Sequence, residues 1–505
     1  METPHRKVVT RFAPSPTGFL HVGGLRTALY SYLLAKQNGG IFILRIEDTD
    51  RERHVEGGIQ NILESLYWAG IIPDEGVSFS SDKKIIQNGE HGPYIQSEKL
   101  ATYKKYAEEL VEKGHAFYCF CTSERLEEVR EYRQKNKMAP GYDGLCKTLS
   151  KEEVADRLQK NERHVIRLNM PDDGETRFTD LIRGEVIFKN SDIDDQVLLK
   201  SDGYPTYHLA VVVDDHEMGV THAIRGEEWI SSTPKHIMLY TFFGWQEPKF
   251  AHLPLLLNAD KSKLSKRQGD VAVLDYRDKG FLPEALINFV AFLGWNPGTE
   301  QEFFTLDELV SAFSLEKVNK AGAVFNLEKL DWFNREYLKR KNTDELAAYL
   351  DKFMPEEIKK MPTYSIDFLI KLTPSLIERI SKGYDLREMN TEGELNYFFE
   401  KPEYDAQNLF WKTLKDDPEK NQKVLTHLEN LISLLEKVPA ENFSHISVKE
   451  SIWEYADKTG RGEVLWPMRY ALSGRDKSPD PFMLAEILGK NETLERLNIA
   501  LKKLE

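Results

Sequence analysis

At 505 residues the chain is longer than one hydrophobic core organises, so several domains are expected. Hydrophobic residues make up 41% and charged residues 30%, and no apolar run reaches the roughly 18–20 residues that span a bilayer, so a soluble globular protein without membrane contact is expected. The net charge of −14 argues against a general nucleic-acid binder and leaves room only for a local basic face; three cysteines and an N-terminus without an apolar signal core point to a reducing cytoplasm.

Val8 to Phe12 reads as a buried strand, and Ala13 to Gly18, with two prolines and a glycine, as a loop. From Gly24 to Lys36 apolar residues recur at three- and four-residue steps, a helix that Gly39-Gly40 ends. Ile41 to Ile46 is a second strand. Strand, helix and strand in this short span form a βαβ unit, hence a parallel sheet. A further helix carries Ile59, Ile62, Leu63 and Leu66. From about Pro93 to Gln196, helix patterns (Glu98 to Lys113, Ser123 to Asn136) mix with strand-like runs (His164 to Leu168, Gly184 to Phe188), as in an insertion between two halves of a nucleotide-binding fold. Parallel-sheet character is expected again at the apolar run Tyr207 to Val213 and at Thr221 to Arg225. Ser232-Thr233-Pro234 then starts a helix. Leu255 to Leu257 leads into a polar loop, Asn258 to Asp270, and beyond about Asp331 amphipathic segments such as Ile366 to Ile380, Gln422 to Lys437 and Leu484 to Leu504 predict a helical last third.

The run Ser15-Pro16-Thr17-Gly18-Phe19-Leu20-His21-Val22-Gly23-Gly24 lies between the first strand and the first helix. A helix N-terminus offers free N–H groups and partial positive charge, glycines admit a nucleotide close to the backbone, and His21 can donate to a phosphate oxygen as charge builds there. By itself His-x-Gly-Gly also fits an ordinary tight βα turn. A second cluster, Lys261-Ser262-Lys263-Leu264-Ser265-Lys266-Arg267, places three lysines and an arginine where they can neutralise a triphosphate, or else form a solvated basic loop. An amino-acid site further needs an anion for the α-ammonium group, and a glutamate site needs cations for the side-chain carboxylate, a task for which the arginine fork is suited. Arg11, Glu47 and Arg225 are each expected at a strand end on the same edge of the sheet, although either arginine could instead be an ion-pair partner of Glu47, Asp48 or Asp50. Glutamine, with a neutral amide, would not need two arginines.

Arg11 through Gly24 resembles the signature of class I aminoacyl-tRNA synthetases in its glutamyl form, where Gly24 stands in place of the histidine of the general class pattern. Lys263-Leu264-Ser265-Lys266-Arg267 resembles the second signature of that class. Arg45-Ile46-Glu47-Asp48-Thr49-Asp50, Asp202 to Ala210 and Arg225 to Trp229 are similar to segments of the glutamyl-tRNA synthetase family, bacterial type. The resemblance is dense over about residues 7–70 and 195–335 and loosest in the last third.

It implies an α/β fold: a class I synthetase Rossmann-type parallel sheet with an α+β insertion, followed by a mostly α-helical C-terminal region. The implied domains are a catalytic first half (1–92), an acceptor-end-binding insertion (93–196), a catalytic second half (197–257), a lysine-rich signature loop with a stem-contact region (258–330), and an anticodon-binding region (331–505). It implies that Arg11, Ala13, Ser15, Glu47, Tyr207 and Arg225 hold glutamate. Thr17, His21, Gly23, Gly24, Glu228, Leu256, Lys263, Lys266 and Arg267 would hold ATP, with His21 and Lys266 acting on the phosphates. Where family members usually carry asparagine this chain has Val211, so no polar contact is expected there. The implied reaction is attack of the glutamate α-carboxylate on the α-phosphorus of ATP, which enters with Mg²⁺, followed by transfer from the adenylate to a ribose hydroxyl of tRNA-Glu, by a monomeric enzyme that activates glutamate only with tRNA bound. Some members bind zinc through four ligands in the insertion; here Cys119, Cys121 and Cys146 stand with Thr148 in the fourth place, so zinc is not expected. A glutaminyl enzyme is the nearest alternative, but its tail would be β-barrels; other nucleotidyltransferases that use the same turn have no use for a helical third.

Overall fold

The computed structural model describes residues 7–139, 141–264 and 272–505. They divide into two compact units, one of residues 1–277 and 283–330, the other of 278–282 and 331–505.

In the first unit β1 (Val9–Phe12) leads through the proline loop into α1 (Val22–Gln37). Leu25, Leu29 and Leu33 are spaced by four residues, so they share one face of α1, and all three are fully buried. Gly39, at φ +57°, turns the chain into β2 (Ile41–Leu44), which pairs in parallel with β1 from Val9↔Ile41 to Phe12↔Leu44. α2 (Gly58–Trp68), β3 (Glu75–Phe79) and an antiparallel edge strand β4 (Ile85–Asn88) complete this half.

The middle of the unit contains α3 (Leu100–Glu112), β5 (Ala116–Cys119), α4 (Ser123–Lys135), α5 (Lys151–Gln159) and β6 (Val165–Leu168). It continues with the hairpin β7 (Glu175–Asp180) and β8 (Gly184–Lys189), then β9 (Val197–Leu199). Strands β5, β6 and β9 form a small antiparallel sheet of their own. The β7–β8 hairpin instead joins the large sheet.

After it come α6 (Tyr207–Glu217), β10 (His222–Gly226), α7 (Thr233–Phe243), β11 (Lys249–Leu253) and β12 (Leu256–Leu257), the last pairing in parallel with β13 (Ala323–Val324). The run Tyr207–Val213, expected as strand, is therefore helix. Leu209 to Asp215 are all buried, so the helix has no exposed stripe here to reveal a period of 3.6 residues, and a short apolar run without period reads equally as strand.

The large sheet runs β4-β3-β2-β1-β10-β11-β7-β8, parallel throughout except at its two edge strands. From β1 the chain proceeds to one side of the sheet, from β10 to the other. The crevice beyond the carboxyl ends of β1 and β10 is thus the topological switch point, where open α/β sheets bind ligands. Arg11 lies on β1 and Arg225 on β10, one at either side of it.

The second unit is built of helices. Lys420–Glu436, Arg461–Ser473 and Pro481–Leu504 pack together, burying Leu428, Leu431, Val464, Leu472, Leu484 and Leu497. The last of these helices is broken at Gly489, whose φ of 78° no helix accommodates.

Candidate functional site

The N-terminus of α1 is prepared for an anion. His21 is its N-cap, with extended backbone (φ −101°, ψ 163°), and His21 Nδ1 accepts the N–H of Gly24 at 3.2 Å. A neutral imidazole that accepts at Nδ1 carries its proton on Nε2, so the cap leaves Nε2–H as the ring's donor. The first turn contains no acidic residue to neutralise the positive end of the helix. A Cβ on Gly23 would fall 2.9 Å from His21 Cε1, and one on Gly24 2.8 Å from Leu20 Cδ1. Position 24 could thus take the histidine of the general class pattern only by displacing Leu20.

The lysine-rich segment is fastened beside this cap. Leu257 and Lys263 form an antiparallel bridge, and Leu264 N–H donates to Leu256 O at 2.9 Å. On the far side of the segment His21 bridges Ala272, and Val273 N–H donates to Leu20 O at 2.8 Å. Both flanks therefore meet at the cavity. Lys266 and Arg267 lie outside the described residues.

The carboxyl ends of β1 and β2 rest on a buried charge network. Arg11 Nε donates to Asp215 Oδ1 at 3.1 Å and its Nη1 to the Ile224 carbonyl at 3.2 Å. The fully buried Arg45 donates to Asp215 Oδ1 at 2.8 Å and to Glu47 Oε1 at 3.1 Å. Asp214, next to Asp215 on α6, accepts from Lys99, Tyr103 and Gln96 at 2.7–2.9 Å. Burial alone would raise the Asp215 pKa, but Arg11 and Arg45 outweigh it and hold the carboxyl below its ordinary value. At Glu47 burial prevails over Arg45 and Arg11, and the carboxyl titrates above its ordinary value. Arg11 is thus an ion-pair partner, though of Asp215 rather than of Glu47, Asp48 or Asp50. Asp48 is bound to Ser97, and Asp50 to Arg53.

Arg225 is held differently. Its Nε donates to His252 Nε2 at 3.0 Å, Nη1 to Tyr207 Oη at 3.0 Å and to His236 Nδ1 at 3.1 Å, and Nη2 to Thr233 Oγ1 at 2.8 Å. Burial first, then the charge of Arg225, holds the His236 pKa far below its ordinary value, and burial lowers that of His252. Arg225 is 6% exposed, and its hydrogen-bond partners among the described residues are all neutral.

Arg11, Glu47, Tyr207 and Arg225 line a cavity of about 1000 Å³. Of the expected residues its wall includes Arg11, Ala13, Ser15, His21, Gly23, Gly24, Glu47, Tyr207, Arg225, Glu228, Leu256 and Lys263. Thr17 is not on the wall, and Val211 is 2% exposed, within the core. Gly226 lets the Glu228 carboxylate lie against the backbone, since a Cβ there would come 2.2 Å from Glu228 Oε2. Trp229, whose ring lies tilted by 37° against Tyr207 with centroids 4.3 Å apart, also lines the wall, a role that the sequence reading did not give it. The roles of Asp215, Thr233, His236 and His252 escaped that reading as well. For Asp215 a signal existed: two adjacent carboxylates close an apolar run, and buried carboxylates need cationic partners. For the histidines there was none.

Cys119, Cys121 and Cys146 come together, their sulfurs within 4.8 Å of one another. The donor set stops short of the four closed ligands of structural zinc. Thr148 Oγ1 donates to the Leu145 carbonyl, and the Tyr142 phenol, 3.3 Å from Cys121 Sγ, accepts the N–H of Cys146.

A family model described as tRNA synthetases class I (E and Q), catalytic domain, matches residues 7–332, and one described as anticodon binding domain matches 341–501. The glutamate–tRNA ligase of Chloroherpeton thalassium is 46% identical, over 98% of each chain; that of Finegoldia magna is 44% identical, over 98% of this chain and 100% of its own. A crystal structure of a glutamate tRNA ligase from Elizabethkingia meningosepticum in complex with its amino acid superposes with a TM-score of 0.86 at 37% identity, over 99% of this chain and 100% of that one.

Proposed function

The chain belongs to the class I tRNA synthetases of the E and Q family, and on that premise we propose a division of labour within its cavity. The reaction is the ATP-dependent attachment of L-glutamate to tRNA. Arg225 receives the side-chain carboxylate of glutamate, and Glu47 its α-ammonium group. Arg11, already compensated by Asp215, lends positive field rather than the principal contact. Tyr207, Ser15 and the backbone at Ala13 complete the amino-acid side.

ATP, with Mg²⁺ as its companion, lies on the other side, its adenosine against Glu228 and Leu256. Its phosphates face the N-terminus of α1, His21 Nε2–H and Lys263; Lys266 and Arg267 are assigned to the same phosphates by resemblance to the class signature alone. The α-carboxylate of glutamate attacks the α-phosphorus in line, pyrophosphate departs, and a terminal ribose hydroxyl of tRNA-Glu takes the glutamyl group from the adenylate. Little proton transfer is needed, so rate comes from positioning and from donors aimed at the developing phosphate charge. The enzyme acts as a cytoplasmic monomer; among the described residues no helix is long and apolar enough to cross a membrane.

The observation that carries the amino-acid assignment is Arg225. A buried guanidinium whose direct acceptors among the described residues are all neutral is suited to a carboxylate ligand, which supplies the paired charge. Glutamine offers no such charge, and the glutaminyl alternative is not favoured. Steady-state aminoacylation with Arg225→Ala is expected to raise the KM for glutamate by about 100-fold or more, with the KM for ATP within about threefold. Equal effects on both substrates would remove Arg225 as the clamp.

A further inference from the structure

Of the groups that fix the direction of Arg225, Tyr207 lines the cavity, whereas His252, His236 and Thr233 lie outside its wall. A guanidinium has only donors, so every nitrogen it meets must present a lone pair. Since Arg225 Nε–H donates to His252 Nε2, that nitrogen is unprotonated, and the proton of the neutral ring resides on Nδ1. Asp180 Oδ2 accepts it at 2.6 Å. The same carboxylate takes the backbone N–H of His252 at 3.1 Å, and its Oδ1 takes those of Ile182 and Arg183 at 2.9 and 2.8 Å. It is thereby held both by its own hairpin turn and by the neighbouring strand. Asp180 and His252 are at most 1% exposed.

Sheet register supports the arrangement. Arg225 on β10 is the Cα partner of His252 on β11, and Phe250 on β11 is the partner of Asp180 on β7. Residues paired across parallel strands project to the same face of the sheet, so three strands deliver carboxylate, imidazole and guanidinium in one row. The far end of the guanidinium obeys the same logic. His236 Nδ1 accepts from Nη1, so its proton sits on Nε2 and is given to His208 Nδ1 at 3.1 Å. Thr233 Oγ1 accepts from Nη2 at 2.8 Å, and its own hydroxyl proton has two acceptors at 3.2 Å, the Trp229 carbonyl and the unprotonated His252 Nε2.

We propose that Asp180 and His252 form a positioning pair for Arg225: the carboxylate selects the Nδ1–H tautomer of His252, and that tautomer offers the acceptor that meets Nε–H and helps to set the plane of the guanidinium in the amino-acid site. In the opposite tautomer Nε2–H would face Nε–H, donor against donor, and the fork would turn away from the plane in which it meets a carboxylate with two parallel bonds. Asp180 belongs to the β7–β8 hairpin, which the chain brings to the sheet from outside the β1–β3 and β10–β11 halves. Amino-acid specificity thus depends on a strand that contributes nothing to the cavity wall.

The pair rests on the assignment of Arg225 as the clamp, and the test separates the two. In the full-length enzyme, His252→Phe keeps the ring volume and removes the acceptor, whereas His252→Gln retains an oxygen for Arg225 and an amide N–H for Asp180. His252→Phe is expected to raise the KM for glutamate about tenfold or more, with the KM for ATP within about threefold, and His252→Gln to restore it to within about threefold of the parent. Placed on Arg225→Ala, His252→Phe is expected to change the glutamate KM by less than about twofold, because a residue that acts only through Arg225 has nothing left to act on. His252→Ala supplies the same comparison where the Phe variant melts early. An unchanged glutamate KM in His252→Phe, parallel rises for glutamate and ATP, or additive effects with Arg225→Ala would each overturn the pair. If Arg225→Ala itself leaves the glutamate KM unchanged, the clamp assignment fails, whatever His252 does.

Discussion

His21 uses its two ring nitrogens for two tasks: Nδ1 closes the N-terminus of α1 and Nε2 keeps the proton. The type and place of this residue could be read from the sequence, but its capping role could not, because the cap depends on the backbone angle of a single residue. Arg11 illustrates the opposite case. Its chemistry was legible, but its partner, 204 residues away, was not, since nothing in the local sequence announces a contact made by distant chain. Glu47 yields a prediction at this scale. It must be ionised to hold an ammonium group, and burial has moved its carboxyl above the ordinary range. Glutamate binding should therefore weaken, as pH falls, at a higher pH than an exposed glutamate would give. Plotted as kcat/KM for glutamate against pH and corrected for the substrate's own carboxyl, the wild-type acid limb should sit above the ordinary carboxylate range and vanish in Glu47→Gln. A limb at or below that range contradicts the role.

Among the elements, α1 was legible from the recurrence of Leu25, Leu29 and Leu33 and from the Gly39-Gly40 stop behind it, although the helix is enclosed by the sheet on one side and by the helices Pro283–Ala291 and Leu306–Ala312 on another. α6 was not, because nearly all of its surface is enclosed. Its function is to carry Asp214 and Asp215 beneath the cavity, where they hold Lys99, Arg45 and Arg11 and so tie β1 and β2 to the helix. Removing Asp215 leaves the buried Arg11 without its paired carboxylate, while Arg45 keeps Glu47 and Asp214. Asp215→Ala is expected to destabilise the enzyme by about 3–5 kcal/mol, measured as a shift in urea or thermal unfolding at neutral pH. The folded carboxyl titrates below its unfolded value, so its contribution is complete above the ordinary carboxylate range and is lost as pH falls through the lowered folded value. The stability difference between wild type and variant should thus shrink in acid; a difference under about 1 kcal/mol at neutral pH would mean that the network is dispensable.

For the molecule as a whole, the chain carries a charge of −14 and yet acts on a polyanion. Its tRNA contacts must then come from local clusters of lysine and arginine and depend on counterion release. The KM for tRNA is expected to rise at least about tenfold between roughly 50 and 200 mM salt, with the KM for glutamate nearly constant, because Arg225 is buried from screening ions. A flat response for tRNA would argue that shape, not charge, dominates. The helical last third was legible as helices, but what its exposed face contacts was not, since packing periodicity is silent about that face. One feature of that third bears on how such enzymes can be recombined. Residues 278–282 belong to the second unit although the chain returns to the first for 283–330. Leu282 N–H donates to Asn334 Oδ1 at 2.8 Å, Tyr384 N–H to the Lys279 carbonyl at 3.0 Å, and Tyr349 hydroxyl to the Gly280 carbonyl. A chimera spliced once near residue 330 would graft the helical third onto a foreign copy of this five-residue staple, so exchange of that third between lineages demands two coordinated crossovers rather than one.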